Sequence, residues 1–340
     1  MPANNLSKAA VFALLLTVVV IGGWEVYLRS KGVTISYDNG KELWAERRAM
    51  IYEPSDKTTV FIGSSRIKFD LDIDTWQKET GRHAVQLAIE GSSPIPVLTD
   101  LGNDPNFRGN LVVDVTEGLF YSSDRYNLQK PETNIAWYKK RTPAEKASFV
   151  LDHVLESGFV FLDRDFLSLN EALDQLNIPD RPGVFVFPKF PLDFNRTSID
   201  RQSSMTPRFV ADTNMQRRVQ NVWLFVMDLG KKAPPPKQDP VPPILAVVKE
   251  AVDKIRARGG EVVFIRTPSS GVMLGVEQHV FPRARCWDPL LAATHCQGIF
   301  YTDYDATSHL VCPEWSHLSP QDAVLYTKAL ITELPPSFTH

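Results

Sequence analysis

The sequence predicts an α/β protein organised around a parallel β-sheet. Apolar runs that are typical of buried strands lie at 58–63, 83–89, 110–115 and 261–266, and each is followed by small or polar residues. Helical segments separate these runs, and near-continuous apolar strands that alternate with helices are typical of a parallel sheet covered on both faces. We therefore expect a doubly wound sheet in a three-layer α/β/α arrangement, preceded by one membrane-spanning helix within residues 1–30.

The composition is that of an ordered globular protein. The chain has 340 residues, of which 43% are apolar and 23% charged, and its net charge is −3. Because there is no basic tract, nucleic acid is not expected as a partner. The cysteines and histidines do not have the spacing of a metal site, so neither a metal nor a cofactor is expected. Two alternatives are open for the cysteines. Cys286 and Cys296 form a disulfide that leaves Cys312 unpaired, or all three are free thiols.

The N-terminal segment is predicted to be a membrane anchor. Residues 9–24 carry no charge, and Val26–Leu28 extends the apolar run past Glu25. A spanning helix needs roughly 17–25 residues, so the run is long enough if Glu25 lies at the membrane interface, where Trp24 and Tyr27 are typical residues. A cleaved signal peptide is the alternative, although no small-residue cleavage site is obvious.

The α/β domain is predicted at residues 58–119 and 241–334, after a linker and helix at 31–57. Proline is tolerated in the first turn of a helix, so a helix can begin beside Pro96. Two glycines at 259–260 end the helix before the fourth strand. The remaining elements predicted here are helices at 75–80, 95–101, 244–258 and 320–334 and a short strand at 299–303.

Residues 120–240 break the alternation and are predicted to form a large, mostly helical insertion. Helices are expected at 144–155, 167–176 and 213–229, with irregular chain at 182–207. Segments of this size in compact domains usually serve as lids or binding surfaces, which predicts a cap over the sheet edge. An additional packing layer is the alternative.

The first strand ends in Gly63-Ser64-Ser65-Arg66. An apolar strand that runs into Gly-x-Ser is how an α/β protein exposes a nucleophile at the carboxyl edge of its sheet. Glycine allows the tight turn, and the serine then lies at the start of a helix. Ser65 is therefore the candidate nucleophile, with a helix N-cap as its alternative role.

Other candidate residues follow the remaining strands, whose carboxyl ends open on the same crevice. Gly91 and Ser92 follow the second strand and Thr116 follows the third, and these are candidates for binding an oxyanion or substrate. His317 precedes the last helix and would be the base that the serine needs at neutral pH. Glu314, three residues earlier, would hold the imidazole in the required tautomer.

Two arginines also lie at this edge of the predicted sheet. Arg66 is a candidate for binding an acidic substrate group or a neighbouring carboxylate, and an ion pair at the surface is the alternative that we favour. Arg266 ends the fourth strand and is expected to form a structural pair with Glu117 or Glu277.

These blocks resemble the SGNH, or GDSL-type, hydrolase superfamily over about residues 58–334, with the insertion as an interruption. Gly63-Ser64-Ser65-Arg66 is similar to the first block of that family, which implies that Ser65 is the nucleophile. Gly91 matches the second-block glycine, whose backbone N–H lines the oxyanion hole in the family. The resemblance implies an SGNH-like, flavodoxin-like parallel sheet.

The last block of the family is similar to Glu314-Trp315-Ser316-His317-Leu318. The resemblance implies that His317 is the base and Glu314 the orienting acid, with glutamate in place of the usual aspartate. The third block normally supplies an asparagine, whereas this chain has Asp114-Val115-Thr116-Glu117-Gly118. One oxyanion donor is therefore expected to be missing or replaced, at a cost of roughly 3–4 kcal/mol in transition-state stabilisation.

An anchor, an SGNH-like domain and no third-block asparagine together resemble the branch of the family that works in envelope acylation. That branch acts beside membrane-bound O-acyltransferases in D-alanylation of teichoic acids and acetylation of alginate or cellulose. The resemblance implies a serine acyltransferase or esterase for O-acyl groups of a cell-envelope or exported glycan, with a membrane-bound O-acyltransferase as partner. The alternatives are a non-catalytic scaffold that binds the glycan or the acyltransferase, and a plain lipolytic esterase, which would need a broad apolar groove.

This function implies a location in the inner membrane with the bulk of the chain in the periplasm. The charges that flank the apolar run do not decide the orientation, because Lys8 lies on one side and Arg29 and Lys31 lie on the other. Positive residues normally concentrate on the cytoplasmic side.

Overall fold

The structure is a computed structural model that describes residues 3–54, 57–163, 173, 181, 183–232, 234 and 238–339. The chain forms two compact units, one of residues 1–38 with 143–186 and one of residues 39–142 with 187–340. The helix expected at 167–176 lies outside the described residues except for residue 173. The predicted division into an α/β domain and a 120–240 insertion stays a prediction.

The described elements have the following bounds. The strands are β1 Thr58–Ile62, β2 His83–Gln86, β3 Asn110–Asp114, β4 Asn195–Thr197, β5 Ser203–Met205, β6 Glu261–Arg266 and β7 Gln297–Phe300. The helices are α1 Ala3–Ser30, α2 Lys41–Ala49, α3 Ser65–Asp70, α4 Ile73–Thr80, α5 Ile95–Asn103, α6 Glu117–Phe120, α7 Arg125–Lys140, α8 Pro143–Gly158, α9 Pro207–Ala211, α10 Thr213–Lys232, α11 Val241–Ala257, α12 Gly271–Val280, α13 Arg283–Thr294, α14 Asp305–Ser308, α15 Pro320–Glu333 and α16 Pro336–Thr339. Short 3₁₀ turns occupy Met50–Tyr52, Val160–Leu162 and Tyr301–Asp303.

The first unit begins with α1. Residues Asn5–Ser30 are long and apolar enough to cross a membrane, a test that a signal sequence near an N-terminus also meets. No residue in the most apolar stretch of this helix is buried within the described structure. Because an apolar helix normally buries its side chains in protein or lipid, α1 could act as a membrane anchor.

The second unit contains a five-stranded sheet in which each strand is parallel to its neighbours, in the order β2–β1–β3–β6–β7. In its register, Val60 of β1 lies opposite Val85 of β2 on one side and Leu111 of β3 on the other. The strands β4 and β5 form a separate antiparallel pair. The predicted α/β class with a parallel central sheet is confirmed.

Alternate residues of the central strands pack into two different hydrophobic clusters. Val60 and Leu111 belong to the cluster that includes residues of α2, α5, α11 and α13. Phe61 and Val112 belong to the cluster that includes residues of α3, α4 and α15. Since successive side chains of a strand point to opposite faces, burial on both faces explains the near-continuous apolar runs of the sequence.

Three longer helices of the second unit, α7, α12 and α13, are not predicted by the sequence. Pro131 lies within α7 and Pro289 within α13. Proline removes a backbone donor and usually ends a helix, so the sequence pattern does not predict a continuous helix in either segment. Glycines at both 271 and 275 weaken the helical signal of α12 in the same way.

Three smaller expectations differ from the structure. The second strand ends at Gln86 rather than 89, although the Leu87 N–H still donates to the Phe61 carbonyl at 2.8 Å. The last strand is 297–300, because a 3₁₀ turn follows directly. The segment 182–207, expected to be irregular, contains the β4–β5 pair. The three cysteines are buried free thiols, which is the second of the two alternatives left open.

The glycine that ends β1 has no room for a side chain. A Cβ at Gly63 would lie 2.6 Å from the Asp114 Cβ and 2.8 Å from the Ile67 Cγ2. We expect Gly63→Ala to lower the free energy of unfolding by about 1–3 kcal/mol through overpacking. Urea denaturation of the full chain in detergent micelles measures this change.

The matched control is Gly275→Ala. Apart from the backbone of its own helix, no atom of the described residues lies within 4 Å of the position that a Cβ would take at Gly275, which is inside α12. Alanine there should raise the free energy of unfolding by roughly 0.5–1 kcal/mol through helix propensity. Equal effects of the two substitutions would contradict the packing argument.

Candidate active site

Ser65 and His317 lie 252 residues apart in the sequence and meet at the carboxyl edge of the sheet. Ser65 begins α3 directly after β1, and His317 lies in the loop before α15. The imidazole Nε2 is 2.8 Å from the serine Oγ. The serine is half-buried and the imidazole is buried. At this distance the ring nitrogen can accept the proton of the hydroxyl.

The second nitrogen of the imidazole faces the carboxylate of Glu314. His317 Nδ1 is 2.7 Å from Glu314 Oε1, and the same oxygen accepts the backbone N–H of His317 at 2.7 Å. The indole N–H of Trp223 donates to Oε2. The carboxylate is fully buried, and these donors replace the water that a buried charge loses. With Nδ1 bonded to the acid, Nε2 is the nitrogen left to face Ser65.

The turn at 313–317 is held by two other parts of the chain. Trp315 adopts φ 80°, the left-handed region, which costs a residue other than glycine roughly 1–3 kcal/mol. Its carbonyl accepts the backbone N–H of Ser270 at 2.9 Å. The side-chain amide of Gln220, on α10, donates to the first carbonyl of the turn at 3.0 Å. These contacts fix the acid and the imidazole in one relative position.

Aromatic rings surround the imidazole of His317. The ring of Phe69 lies 4.3 Å from it between centroids, and the rings of Phe194 and Trp223 lie 6.0 Å away. Phe190 stacks on Phe194 at 5.5 Å. Three of these four rings come from residues 187–232, so that segment forms most of the apolar wall of the site.

The loop that contains Gly91 is hydrogen-bonded to the turn at the end of β1. The N–H of Ile89 donates to the carbonyl of Gly63 at 3.2 Å, which places the loop next to the turn at the end of β1. Gly91 has φ 60°, and its carbonyl accepts from the Asn127 side chain of α7 at 2.9 Å. Ser92 is buried, and its hydroxyl donates to a backbone carbonyl of the same loop.

Thr116 lies at the end of β3, close to Ser64. Its hydroxyl donates to Asp114 Oδ2 at 3.1 Å and is 2.7 Å from Ser64 Oγ. The Thr267 hydroxyl donates to the other oxygen of Asp114 at 3.0 Å. Burial raises the pKa of Asp114, although nearby arginines and these hydroxyls oppose the rise. The bond to Asp114 thus occupies the one hydroxyl hydrogen of Thr116.

Arg66 belongs to a buried network of charges under the site. Its guanidinium bonds to Glu277 and lies 3.4 Å from Ser316 Oγ. Arg266 bonds to Glu277 at 2.5 Å and to Glu117 at 2.8 Å. The expected structural pairing of Arg266 is confirmed, and it includes both of the predicted carboxylates. Burial alone would raise the pKa of Glu277, but the two arginines hold it at about 2. Arg66 therefore pairs with an acidic side chain of its own fold, and the pair is buried instead of lying at the surface as expected.

A second buried cation, Lys68, lies one turn after Ser65 on α3. Its ammonium bonds to Glu90, which also accepts from the Asn39 side chain at 2.5 Å. Burial lowers the pKa of Lys68 to about 7, and the attraction of Glu90 opposes that shift. Since Glu90 directly precedes Gly91, this ion pair joins α3 to the glycine loop.

Sequence reasoning missed several residues that contact the site. Trp223 and Gln220 lie three apart on α10 and therefore share one face, which was a usable signal. The sequence contains no comparable signal for Asn127 and Phe194, because their contacts with the site depend on how distant segments pack. Lys68 gave none because lysine is almost always exposed.

The structure brings Ser65, His317 and Glu314 into one hydrogen-bonded line. Gly91 lies two residues after Ile89, whose N–H bonds to the turn that precedes Ser65. Comparison of the chain with models of known protein families finds no match, and comparison with curated proteins finds none. The site is therefore interpreted from its geometry. A hydroxyl, an imidazole and a carboxylate in line form the arrangement on which serine-dependent acyl transfer relies.

The buried carboxyl of Asp70 makes stability depend on pH. The N–H of Leu318 donates to one oxygen at 2.9 Å, and the other oxygen has no hydrogen-bond partner within the described ranges. Burial, reinforced by Asp114 and opposed by the Leu318 N–H, raises the pKa of Asp70 well above its usual value. Its contribution to stability is therefore fully present below about pH 4 and is lost as the pH rises through the folded-state pKa. The loss is about 1.4 kcal/mol for each pH unit that separates the folded-state pKa from that of the unfolded chain.

We expect Asp70→Asn to remove this loss, because an amide keeps the acceptor for Leu318 without a charge. The variant should gain stability over the natural chain as the pH rises from about 4 to about 8. Urea unfolding in micelles across that range measures the difference. Asp74→Asn, on the exposed face of α4, is the control and should keep the natural slope. A pH-independent difference for Asp70→Asn would contradict the argument.

Trp223 is expected to stabilise the working position of Glu314. Trp223→Phe keeps an aromatic ring and removes the indole donor, a charge-assisted hydrogen bond worth about 1.5–3 kcal/mol. We expect labelling of Ser65 by a fluorophosphonate probe to slow by about tenfold or more. Trp137→Phe is the control, because Trp137 packs against the hydrophobic cluster of α2 and α5. An unchanged labelling rate for Trp223→Phe would remove Trp223 from the mechanism.

Proposed function

We propose that this chain is a membrane-anchored serine acyltransferase or esterase that acts on O-acyl groups of a cell-envelope or exported glycan. The observation that supports it most is the pair of distances through the imidazole, 2.8 Å from His317 to Ser65 and 2.7 Å to Glu314. A serine hydroxyl is a weak nucleophile at neutral pH unless a base lies within hydrogen-bond reach.

In the first step, Ser65 Oγ attacks the carbonyl carbon of an acyl ester. His317 Nε2 takes the hydroxyl proton, and the Glu314 carboxylate stabilises the imidazolium that forms. The tetrahedral intermediate then releases the alcohol of the donor ester, which receives the proton from Nε2. The product of this step is an acyl ester of Ser65.

In the second step, a hydroxyl of the acceptor attacks the acyl carbon. His317 Nε2 removes the proton of that hydroxyl and returns it to Ser65 Oγ when the acyl–serine bond breaks. A glycan hydroxyl as acceptor gives transfer, and water gives hydrolysis. His317 acts as the base for either acceptor, so the identity of the acceptor alone distinguishes a transferase from an esterase.

The developing oxyanion is proposed to accept from the backbone N–H groups of Gly91 and Ser65. Two interactions support a preorganised loop for this purpose, namely the Asn127 contact with Gly91 and the Glu90–Lys68 ion pair. A single preorganised donor contributes about 2.7–4 kcal/mol in serine hydrolases. The hydroxyls of Ser92 and Thr116 and the guanidinium of Arg66 are engaged within the fold, which supports positioning roles for these three predicted residues.

The proposed fold is the doubly wound, three-layer sheet of SGNH-type proteins. Strand order supports it, because the chain leaves β1 for β2 on one side and then crosses to β3 on the other. In such sheets, ligands bind at the carboxyl ends of the strands where the order reverses. Ser65 and Thr116 follow the two strands on either side of that point.

The proposed location is the inner membrane, with the bulk of the chain in the periplasm and a membrane-bound O-acyltransferase as partner. An uncleaved anchor is supported by contacts at the end of α1. Glu25 accepts the N–H groups of Val160 and Phe161 at 3.1 Å each, and Arg29 donates to the carbonyl of Gly158 at 3.0 Å. Cleavage of α1 would leave these backbone groups without their partners.

A non-catalytic scaffold is the second candidate function. It is supported by the absence of an asparagine after β3 and by the engagement of the Thr116 hydroxyl with Asp114. A scaffold would keep the fold and bind the glycan or the acyltransferase without forming an acyl-serine. Reactivity of Ser65 separates the two candidates.

We expect Ser65→Ala to abolish turnover of a chromogenic acetyl ester and reaction with a fluorophosphonate, because no other hydroxyl is held by His317 among the described residues. The full chain in micelles is measured by initial rates, with the thermal transition recorded for each variant. Ser64→Ala is the matched control. It removes the adjacent hydroxyl, which bonds to Thr116 instead of the imidazole. That variant should lose about 1 kcal/mol of stability as a helix cap and keep its probe reactivity.

Full activity in Ser65→Ala would exclude Ser65 as the nucleophile. A natural chain that is folded but does not react with the fluorophosphonate would overturn the enzymatic proposal and favour the scaffold.

A further inference from the structure

Helix α8 turns its apolar side chains away from the unit to which it belongs. No residue of α8 is buried, and its four largest aliphatic side chains are all exposed by half or more. They form a stripe with i, i+3 and i+4 spacing, called here the α8 stripe, of Val150, Leu151, Val154 and Leu155. A helix at the surface of a soluble protein has the opposite arrangement, with its apolar face against the core.

The other side of α8 is the one that packs. The less exposed positions are those spaced three or four apart around Phe149 and His153. The His153 ring lies 5.3 Å from the ring of Tyr37 and 6.1 Å from that of Phe149. The α8 stripe is therefore on the side of the helix that the described residues leave exposed, and water is an unfavourable neighbour for it.

The C-terminal end of α8 is tied to the end of the apolar helix α1. Arg29 donates to the carbonyl of Gly158, the last residue of α8. Glu25 accepts the backbone N–H groups of Val160 and Phe161, which follow shortly after α8. Trp24 and Tyr27, whose rings stack at 5.4 Å, lie on the same turn of α1. Tryptophan and tyrosine concentrate where a membrane meets water. If α1 spans the membrane, the C-terminal end of α8 lies at that level.

We infer that α8 lies in the membrane interface with its stripe among the lipid chains. The inference rests on the proposed anchoring by α1 and adds a second contact with the same bilayer. Lipid fits better than a protein partner as the occupant, because the attachment to Glu25 and Arg29 already brings α8 to the headgroup level. An interfacial helix buries its apolar face about 5–10 Å into the headgroup and acyl boundary.

The charges of α8 predict which lipids it accepts. Its polar residues include Glu145, Lys146, Asp152 and Glu156, so acidic side chains outnumber basic ones. Electrostatic attraction to anionic lipid therefore contributes little, and burial of the stripe is the driving force. Insertion should occur in vesicles of zwitterionic phosphatidylcholine and should change little between low and high salt.

The experiment uses the full chain in phosphatidylcholine vesicles with a nitroxide on one introduced cysteine. The three native thiols are buried, so labelling favours the introduced site. Leu151→Cys and Val154→Cys report on the stripe, Asp152→Cys on the polar side, and Leu16→Cys on the anchor. Depth is measured as the ratio of collisions with oxygen, which concentrates in lipid, to collisions with a water-soluble nickel chelate.

We expect labels at 151 and 154 to have oxygen-to-nickel collision ratios at least several-fold above that of the label at 152. A lipid-exposed label at 16 with water-exposed labels at 151 and 154 would overturn the inference and leave the anchor intact. Labels at 151 and 154 that neither reagent reaches would show a protein covering the stripe and would also overturn it. A water-exposed label at 16 would contradict the anchor itself, and the inference with it.

Discussion

The buried Glu314 carboxylate is the group on which the geometry of the candidate site depends. It is fully buried, and a charge in that position is tolerated only with several hydrogen-bond donors. Its two oxygens receive the imidazole and backbone N–H of His317 and the indole of Trp223, which lies 91 residues earlier. The strained backbone at Trp315 is consistent with this view, because strain persists where surrounding contacts determine the conformation.

The network of Arg66, Glu277, Arg266 and Glu117 joins four elements, of which Glu117 belongs to α6. Arg66 lies on α3, Glu277 on α12, and Arg266 at the end of β6. Buried ion pairs often contribute little net stability, but removing one partner leaves an uncompensated charge at a cost of about 3–5 kcal/mol. The network therefore favours one relative position of the helix that begins at the nucleophile, and we regard that as its main contribution.

The parts of the structure that the sequence predicts are those governed by local pattern. The five parallel strands, the Gly63 turn and the Glu314–His317 turn each follow from a few adjacent residues, and their meeting follows from parallel-sheet geometry. The helices with internal proline, such as α7, were not predicted because the local rule for proline was outweighed by packing. Buried Lys68 could not be predicted either, since only its contact with Glu90 makes burial of a lysine possible.

The aromatic rings around the imidazole bear on the choice between hydrolysis and transfer. An acyl-serine survives until a hydroxyl reaches both the acyl carbon and Nε2 of the base. Among the described residues, Phe69, Phe194 and Trp223 lie against the buried ring of His317, whereas Ser65 is half-exposed, so an acceptor would approach from the serine side. A bound sugar that fills this approach would both supply the acceptor hydroxyl and exclude water. Under the proposed function, selectivity for transfer would then depend in part on residues 187–232, which lie within the segment that the sequence predicts to be a cap over the sheet edge. The individual contacts of Phe194 and Trp223 with His317 were not predicted.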